Sequence, residues 1–333
     1  MAYSANEKRY ERMTYRNCGD SGLKLPLLSL GFWHNFGTND DYENMKRMSF
    51  CAFDHGITHF DLANNYGPDP GAAETNLGRI LREEMALYRD ELVISTKAGY
   101  YMWPGPYGDH GSRKYLLSSL DQSLKRMGLP YVDIFYHHRM DPETPLEESM
   151  LALDTAVKSG RALYAGISNY DAKTALRAVE ILNELHCPFV LNQIRYSIFD
   201  RHIEPDRLTE AAKQAGFGLI AFSPLAQGLL TDRYLDGIPS DSRIGKGGPF
   251  LKREQLTEEK LAQIRALNDL AAERNQTLSQ MALSWVVRNE AVTSVLIGAS
   301  SPAQIEENLG ILAAPAFTPE QLKRIDVITR FLA

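Results

Sequence analysis

Eight times along this 333-residue chain, a short apolar β-rich run is followed by a longer stretch with helical spacing. The runs are "LLSLGFW" (27–33), "ITHFDLA" (57–63), "ELVISTKAG" (91–99), "VDIFYHH" (132–138), "ALYAGIS" (162–168), "FVLNQI" (189–194), "GLIAFSP" (218–224) and "SVLIGAS" (294–300). Behind them come segments such as "SRKYLLSSLDQSLKRMG" and "DAKTALRAVEILNELH", whose apolar residues recur at the helical interval. Apolar strands alternating with helices point to a parallel sheet covered on both faces, because each parallel crossover lays a helix on the sheet. Eight such units with no Pro/Ser-rich linker predict an α/β fold, a closed (β/α)8 TIM barrel, with residues 1–333 forming a single domain. An open doubly wound sheet is the alternative. It usually carries a GxGxxG turn after its first strand, and "LSLGFWHNFG" does not match one. Residues 14–28, with Gly and Asp in the middle, predict an N-terminal β-hairpin plugging one barrel end, and "TPEQLKRIDVITRFL" predicts an extra C-terminal helix.

Composition narrows the function classes. A net charge of −6 argues against broad nucleic-acid or anionic-membrane binding. No apolar run approaches the roughly 18 residues that span a bilayer, and the polar start "MAYSANEKRYERMTYRN" lacks a signal-peptide core. Cys18, Cys51 and Cys187 are odd in number and widely spaced, which suggests no disulfide framework, no CxxC metal site and a reducing, cytoplasmic setting. Neither composition nor charge decides whether the chain forms a homo-oligomer.

A barrel of this kind places its active site at the C-terminal ends of the strands. Asp61 and Lys97 end otherwise apolar runs, where an unpaired charge is costly, so an ion pair between adjacent strands is expected. Such a pair also serves simply to fix strand register. Tyr66 follows Asp61 on a loop that could fold back over the strand ends. Beside a lysine ammonium its phenol is expected to lose proton affinity and serve as a general acid toward a carbonyl oxygen. Its alternative is an aromatic packed on the barrel rim. His137 and His138 end the fourth run. Neighbours on a strand face opposite sides, so one of them looks into the barrel. Both faces of the run are apolar, and periodicity alone does not choose. His55 and His59 have a spacing suggestive of a metal pair, but Gly56 and a strand start intervene and no helix face is shared, so no metal site is expected.

These residues, and the segments around them, resemble the aldo-keto reductase family nearly end to end. "GITHFDLANNYG" is similar to the signature around its catalytic Asp and Tyr, "VISTKAG" to the segment with its Lys, "YVDIFYHHRMDP" to its fourth-strand motif and "SVLIGASSPAQIEENL" to its C-terminal cofactor signature. Within the family the chain is similar to the branch of potassium-channel β subunits and bacterial L-glyceraldehyde 3-phosphate reductase-like enzymes. The resemblance implies a catalytic set of Asp61, Tyr66, Lys97 and His138, with His138 named by its place five residues after Asp133. His137 is then expected to pack behind the strand.

The resemblance further implies an NADPH-dependent carbonyl reductase, with NADH the less favoured cofactor. Trp33, Ser168, Asn169 and Gln193 would hold the nicotinamide end, and Phe222 would stack on its ring where Tyr or Trp is usual. Ser223, Leu225 and Gly228 would follow the pyrophosphate. Gly298, Ser300, Gln304, Glu307 and Asn308 would surround the adenosine, with Ser300 and the following helix start facing the 2′-phosphate. Many members carry Lys and Arg where this chain has Gly298 and Gln304, and Arg243 with Lys246 in "DSRIGKGG" would supply the basic charge on a closing loop. Glu74 follows Tyr66 by eight residues through the insert "YGPDPGAAE", as in the bacterial branch. Trp33, His34, Tyr66, Trp103 and His138 are expected to wall a pocket for a small carbonyl substrate. The competing reading is a regulatory, redox-sensing subunit of the channel-β type. That branch carries Asn at the fourth-strand position, so His138 favours the enzyme.

Overall fold

The structure is a computed structural model that describes residues 3–240, 244, 245, 247 and 251–331. Its chain opens with the antiparallel hairpin β1 (Tyr15–Asn17) and β2 (Lys24–Pro26), then alternates strands and helices. The units are β3 (Leu28–Gly31) and α1 (Tyr42–Asp54), β4 (His59–Asp61) and α2 (Ala72–Ile80), β5 (Val93–Ala98) and α3 (Arg113–Met127), β6 (Val132–His137) and α4 (Leu146–Lys158). They continue with β7 (Ala162–Ser168) and α5 (Ala172–Glu184), β8 (Phe189–Arg195) and α6 (Leu208–Ala215), then β9 (Gly218–Phe222), α7 (Glu258–Glu273) and α8 (Leu278–Val287). The chain finishes with β10 (Val292–Ile297), α9 (Pro302–Asn308) and α10 (Pro319–Thr329). Strands β3 to β10 close on themselves in parallel, β10 pairing with both β3 and β9. This is the (β/α)8 barrel that the sequence pattern predicts, with its hairpin and its extra C-terminal helix.

Local chemistry sets the helix ends. Ser112 accepts from the Tyr115 amide to start α3, and Gly128 ends that helix in the left-handed region at φ 67°. Thr277 with Gln280, and Thr318 with Gln321, form reciprocal capping boxes at α8 and α10. Helix α8 has no counterpart in the sequence reading. Nine of its ten residues are buried, so it lacks the polar face that makes a helical period visible.

The hairpin closes the N-terminal end of the barrel. Cys18 and Leu25 join Ile134, Tyr136, Leu191 and Ile220 in one apolar cluster inside it. Gly19 meets the barrel wall so closely that a Cβ there would lie 2.1 Å from the Gly216 carbonyl oxygen, and its φ of +58° is one that glycine adopts freely. The apolar cluster fills the side formed by β6 to β9. Across from it β10, β3, β4 and β5 also place polar side chains inward: Ser294, Ser29, His59 and Asp61, Ser95 and Lys97. All six are at most 1 % exposed. Such a polar set must satisfy its own hydrogen bonds, and it does so toward the C-terminal mouth.

Candidate active site

Strand alternation puts Asp61 and Lys97 on the inward face of adjacent strands. Lys97 Nζ lies 2.6 Å from Asp61 Oδ2, with both side chains almost wholly buried. The same ammonium donates to the Leu62 carbonyl at 2.6 Å and to the Tyr66 hydroxyl oxygen at 3.4 Å. Three acceptors take the three protons that a lysine ammonium carries. Because the Tyr66 oxygen accepts from Lys97, its own proton is left to point elsewhere. Asp61 Oδ1 receives the Ser95 hydroxyl at 2.7 Å and Gln193 Nε2 at 3.0 Å, which fixes the carboxylate from the other side.

Tyr66 keeps part of its surface at the mouth while its hydroxyl reaches the fully buried Lys97. Burial holds its proton affinity well above the ordinary phenol range, and Asp61 and Tyr100 add to the effect. The lowered phenol expected from the sequence is therefore absent. The field of Lys97 is offset by Asp61 at 2.6 Å, so desolvation dominates. For Lys97 burial pulls the other way, lowering its pKa against the opposing pull of Asp61.

His138 follows the end of β6, its backbone amide still donating to Ala98. Its ring meets Tyr66 edge to face at 5.9 Å and Tyr100 at 4.6 Å. Burial, then Lys97, holds it well below its ordinary value, so it stays neutral in mildly acid and neutral solution. Its Nδ1 is buried with no hydrogen-bond partner among the described residues. His137 points the other way. Its Nδ1 lies 2.7 Å from the Tyr170 hydroxyl, and its ring sits against Gly111, behind the strand.

The wall of the mouth is aromatic. Trp33 lies 6.4 Å from Tyr66 and 4.4 Å from His34. Trp103 packs on Tyr115 at 5.2 Å, and the Tyr115 hydroxyl donates to the Tyr100 carbonyl. Arg139, which the sequence reading passed over, holds its guanidinium 4.4 Å from the Tyr100 ring centre. It donates to the Gly99 carbonyl and pairs with Asp109 at 2.8 Å. Ser95 was also passed over, although alternation puts it on the same face as Lys97.

Among the described residues, those expected to meet a dinucleotide lie at or just beyond the C-terminal ends of β3, β7, β8, β9 and β10. Ser168 donates to the Gln193 carbonyl at 2.9 Å, and Asn169, with φ 60°, donates through its amide to the His138 carbonyl at 3.1 Å. Gln193 spends its amide N–H on Asp61. Phe222 packs one part of its ring on the interior apolar cluster and leaves part exposed, as a platform for a flat ring requires. Beyond it Ser223, Leu225 and Gly228 form a tight loop, with Ser223 at φ 52° and Gly228 at φ 98°. Gln304 accepts from both the amide and the hydroxyl of Ser300, while Gly298 and Glu307 are exposed and Asn308 is buried. These side chains suit a dinucleotide in chemistry, with polar amides at one end, an aromatic face and a small-residue loop. Arg243 and Lys246 lie outside the described residues. Among the described residues no group of three metal-ligating side chains occurs, and no helix is long and apolar enough to cross a membrane.

Comparison with known proteins agrees with this architecture. The profile of the aldo/keto reductase family matches residues 27–330. The chain is 55% identical over 329 residues to the L-glyceraldehyde 3-phosphate reductase of Escherichia coli strain K12, covering 98% of this chain and 95% of that one. It is 36% identical over 320 residues to a probable voltage-gated potassium channel subunit beta of Arabidopsis thaliana, covering 95% and 96%. A rice protein of the same name is 34% identical over 322 residues, covering 96% of this chain and 97% of that one.

Proposed function

The chain belongs to the aldo/keto reductase family of oxidoreductases that use NAD(P)H, and on that premise we propose that it reduces small aldehydes and ketones with NADPH, Tyr66 serving as general acid. The single observation that carries this reading is the convergence of Asp61, Lys97, Tyr66 and His138 at one barrel mouth, with Lys97 Nζ 3.4 Å from the Tyr66 oxygen. Substrates of the methylglyoxal or glyceraldehyde 3-phosphate type are supported by the small aromatic wall of Trp33, His34 and Trp103, and by the similarity to bacterial L-glyceraldehyde 3-phosphate reductases.

The cofactor held by these residues would supply a hydride to the carbonyl carbon. Neutral His138 donates an N–H to the carbonyl oxygen and orients it. Tyr66 passes its proton to that oxygen as negative charge develops there. A phenol of raised proton affinity still serves, because a forming alkoxide is a stronger base than a phenolate. Lys97 then stabilises the phenolate left behind, and Asp61 keeps Lys97 charged and in place. Asn169, Ser168, Gln193 and Trp33 would hold the nicotinamide end, with Phe222 under its ring. Ser223, Leu225 and Gly228 would take the pyrophosphate, and Gly298, Ser300, Gln304, Glu307 and Asn308 the adenosine. Arg243 would meet the 2′-phosphate.

NADPH oxidation by the purified protein with methylglyoxal or glyceraldehyde tests the reading directly. Tryptophan quenching titrations should give a tighter Kd for NADPH than for NADH, and equal affinities would remove the NADPH preference. The similarity to channel β subunits supports a second reading, a redox-sensing subunit that binds cofactor. Cofactor binding without turnover on any aldehyde would favour it.

A further inference from the structure

We infer that His59 is a positioning residue of the proton-donating set, acting through Ser95 on Asp61. This rests on the reductase reading above. Inside the barrel a single file of hydrogen bonds runs across four strands toward the mouth. Ser294 and Ser29 hydroxyls lie 2.6 Å apart, Ser29 Oγ is 2.9 Å from His59 Nδ1, and His59 Nε2 is 2.9 Å from Ser95 Oγ. Ser95 in turn donates to Asp61 Oδ1 at 2.7 Å. Every one of these groups is at most 1 % exposed, so no bulk water replaces a missing partner.

Proton counting gives the file one direction. The Asp61 carboxylate only accepts, so the one proton of Ser95 goes to it. The Ser95 oxygen then needs a donor from His59, which must carry its proton on Nε2. Nδ1 is left to accept from Ser29, and Ser29 to accept from Ser294. The other tautomer would set two lone pairs against each other at one of these short contacts. Burial keeps the ring neutral, lowering its pKa to about 4. His59 touches neither Lys97 nor Tyr66 by any hydrogen bond. Its effect is to stop the Ser95 hydroxyl turning away, which holds Asp61 Oδ2 on Lys97 and Lys97 on Tyr66. Its i+2 relation to Asp61 and the facing of Ser29 and Ser95 follow from alternation on β3, β4 and β5.

The test is a kinetic double-mutant cycle on the reductase activity. His59→Phe and Ser95→Ala should each lower kcat by about tenfold with the substrate KM and the NADPH Kd within about twofold of wild type. The double variant should lose no more than either single, and His59→Gln, which keeps a donor toward Ser95, should recover most of the rate. Losses that multiply, or wild-type kcat in Ser95→Ala, would overturn the inference. Ser95→Ala removes one hydroxyl and decides the matter even where His59→Phe does not fold. Nitrogen-15 spectra of labelled histidine provide a readout independent of turnover. A neutral Nε2–H tautomer at His59 supports the inference, and the Nδ1–H tautomer overturns it. An inactive wild-type protein with the Nε2–H tautomer would count against the reductase reading instead.

Discussion

Replacing Lys97 by methionine leaves the Asp61 carboxylate buried at 1 % exposure without its cation. Removing one partner of a buried ion pair costs about 3–5 kcal/mol, because the remaining charge keeps its desolvation penalty. Asp61 would retain the Ser95 hydroxyl at 2.7 Å and the Gln193 amide at 3.0 Å, which places the loss at the lower end, about 3 kcal/mol. Unfolding entropy of roughly 2.1 cal/mol/K per residue gives about 0.7 kcal/mol/K for a chain of this length, so Tm should fall by about 4 °C. Adding Asp61→Asn removes the stranded charge while leaving a carbonyl to accept from Ser95 and Gln193. The double variant should therefore melt above Lys97→Met alone. Calorimetric melts of wild type, Lys97→Met, Asp61→Asn and the double variant at neutral pH without cofactor measure this. A Lys97→Met protein as stable as wild type, or a double variant below the single, would refute the electrostatic reasoning.

Acid should weaken the fold through its buried histidines. Burial lowers His59 and His137 to about 4 from 6.5, so the unfolded chain binds their protons more tightly. Their contribution is complete above the unfolded value and is lost as pH falls from 6.5 toward about 4, up to about 3 kcal/mol for each. Urea midpoints should drop between neutral pH and about pH 5, and a flat midpoint across that window would count against it. Arg139 stands over Tyr100 at the substrate wall, where its guanidinium would meet the phosphate of a phosphorylated aldehyde. Arg139→Met should raise KM for glyceraldehyde 3-phosphate by about tenfold and leave glyceraldehyde within about twofold. Equal effects on both substrates would take Arg139 out of phosphate recognition.

The barrel was legible because each short apolar strand run and the helical stripe behind it are written locally, eight times over. The mouth was legible for a related reason: charges at the ends of apolar runs, Asp61 and Lys97, stand out on strands that otherwise bury everything. Helix α8 was not, since a segment buried on all sides has no period to read. Nor was the proton affinity of Tyr66, which depends on how far desolvation outweighs one lysine and is set by the packing of Asp61 and Tyr100 around it. His59 shows a third kind of limit. Its inward facing follows from its spacing to Asp61, but its partners Ser29 and Ser95 come from neighbouring strands whose register only the closed barrel fixes.

The role of Tyr66 is the centre of the mechanism, and one variant tests it. Single-turnover mixing of Tyr66→Phe with NADPH and methylglyoxal isolates hydride transfer from product release. The expected result is a rate at least about 100-fold below wild type with NADPH affinity unchanged within about twofold, since only the proton donor is gone. Hydride transfer at the wild-type rate in that variant would contradict the assignment of Tyr66 as the acid.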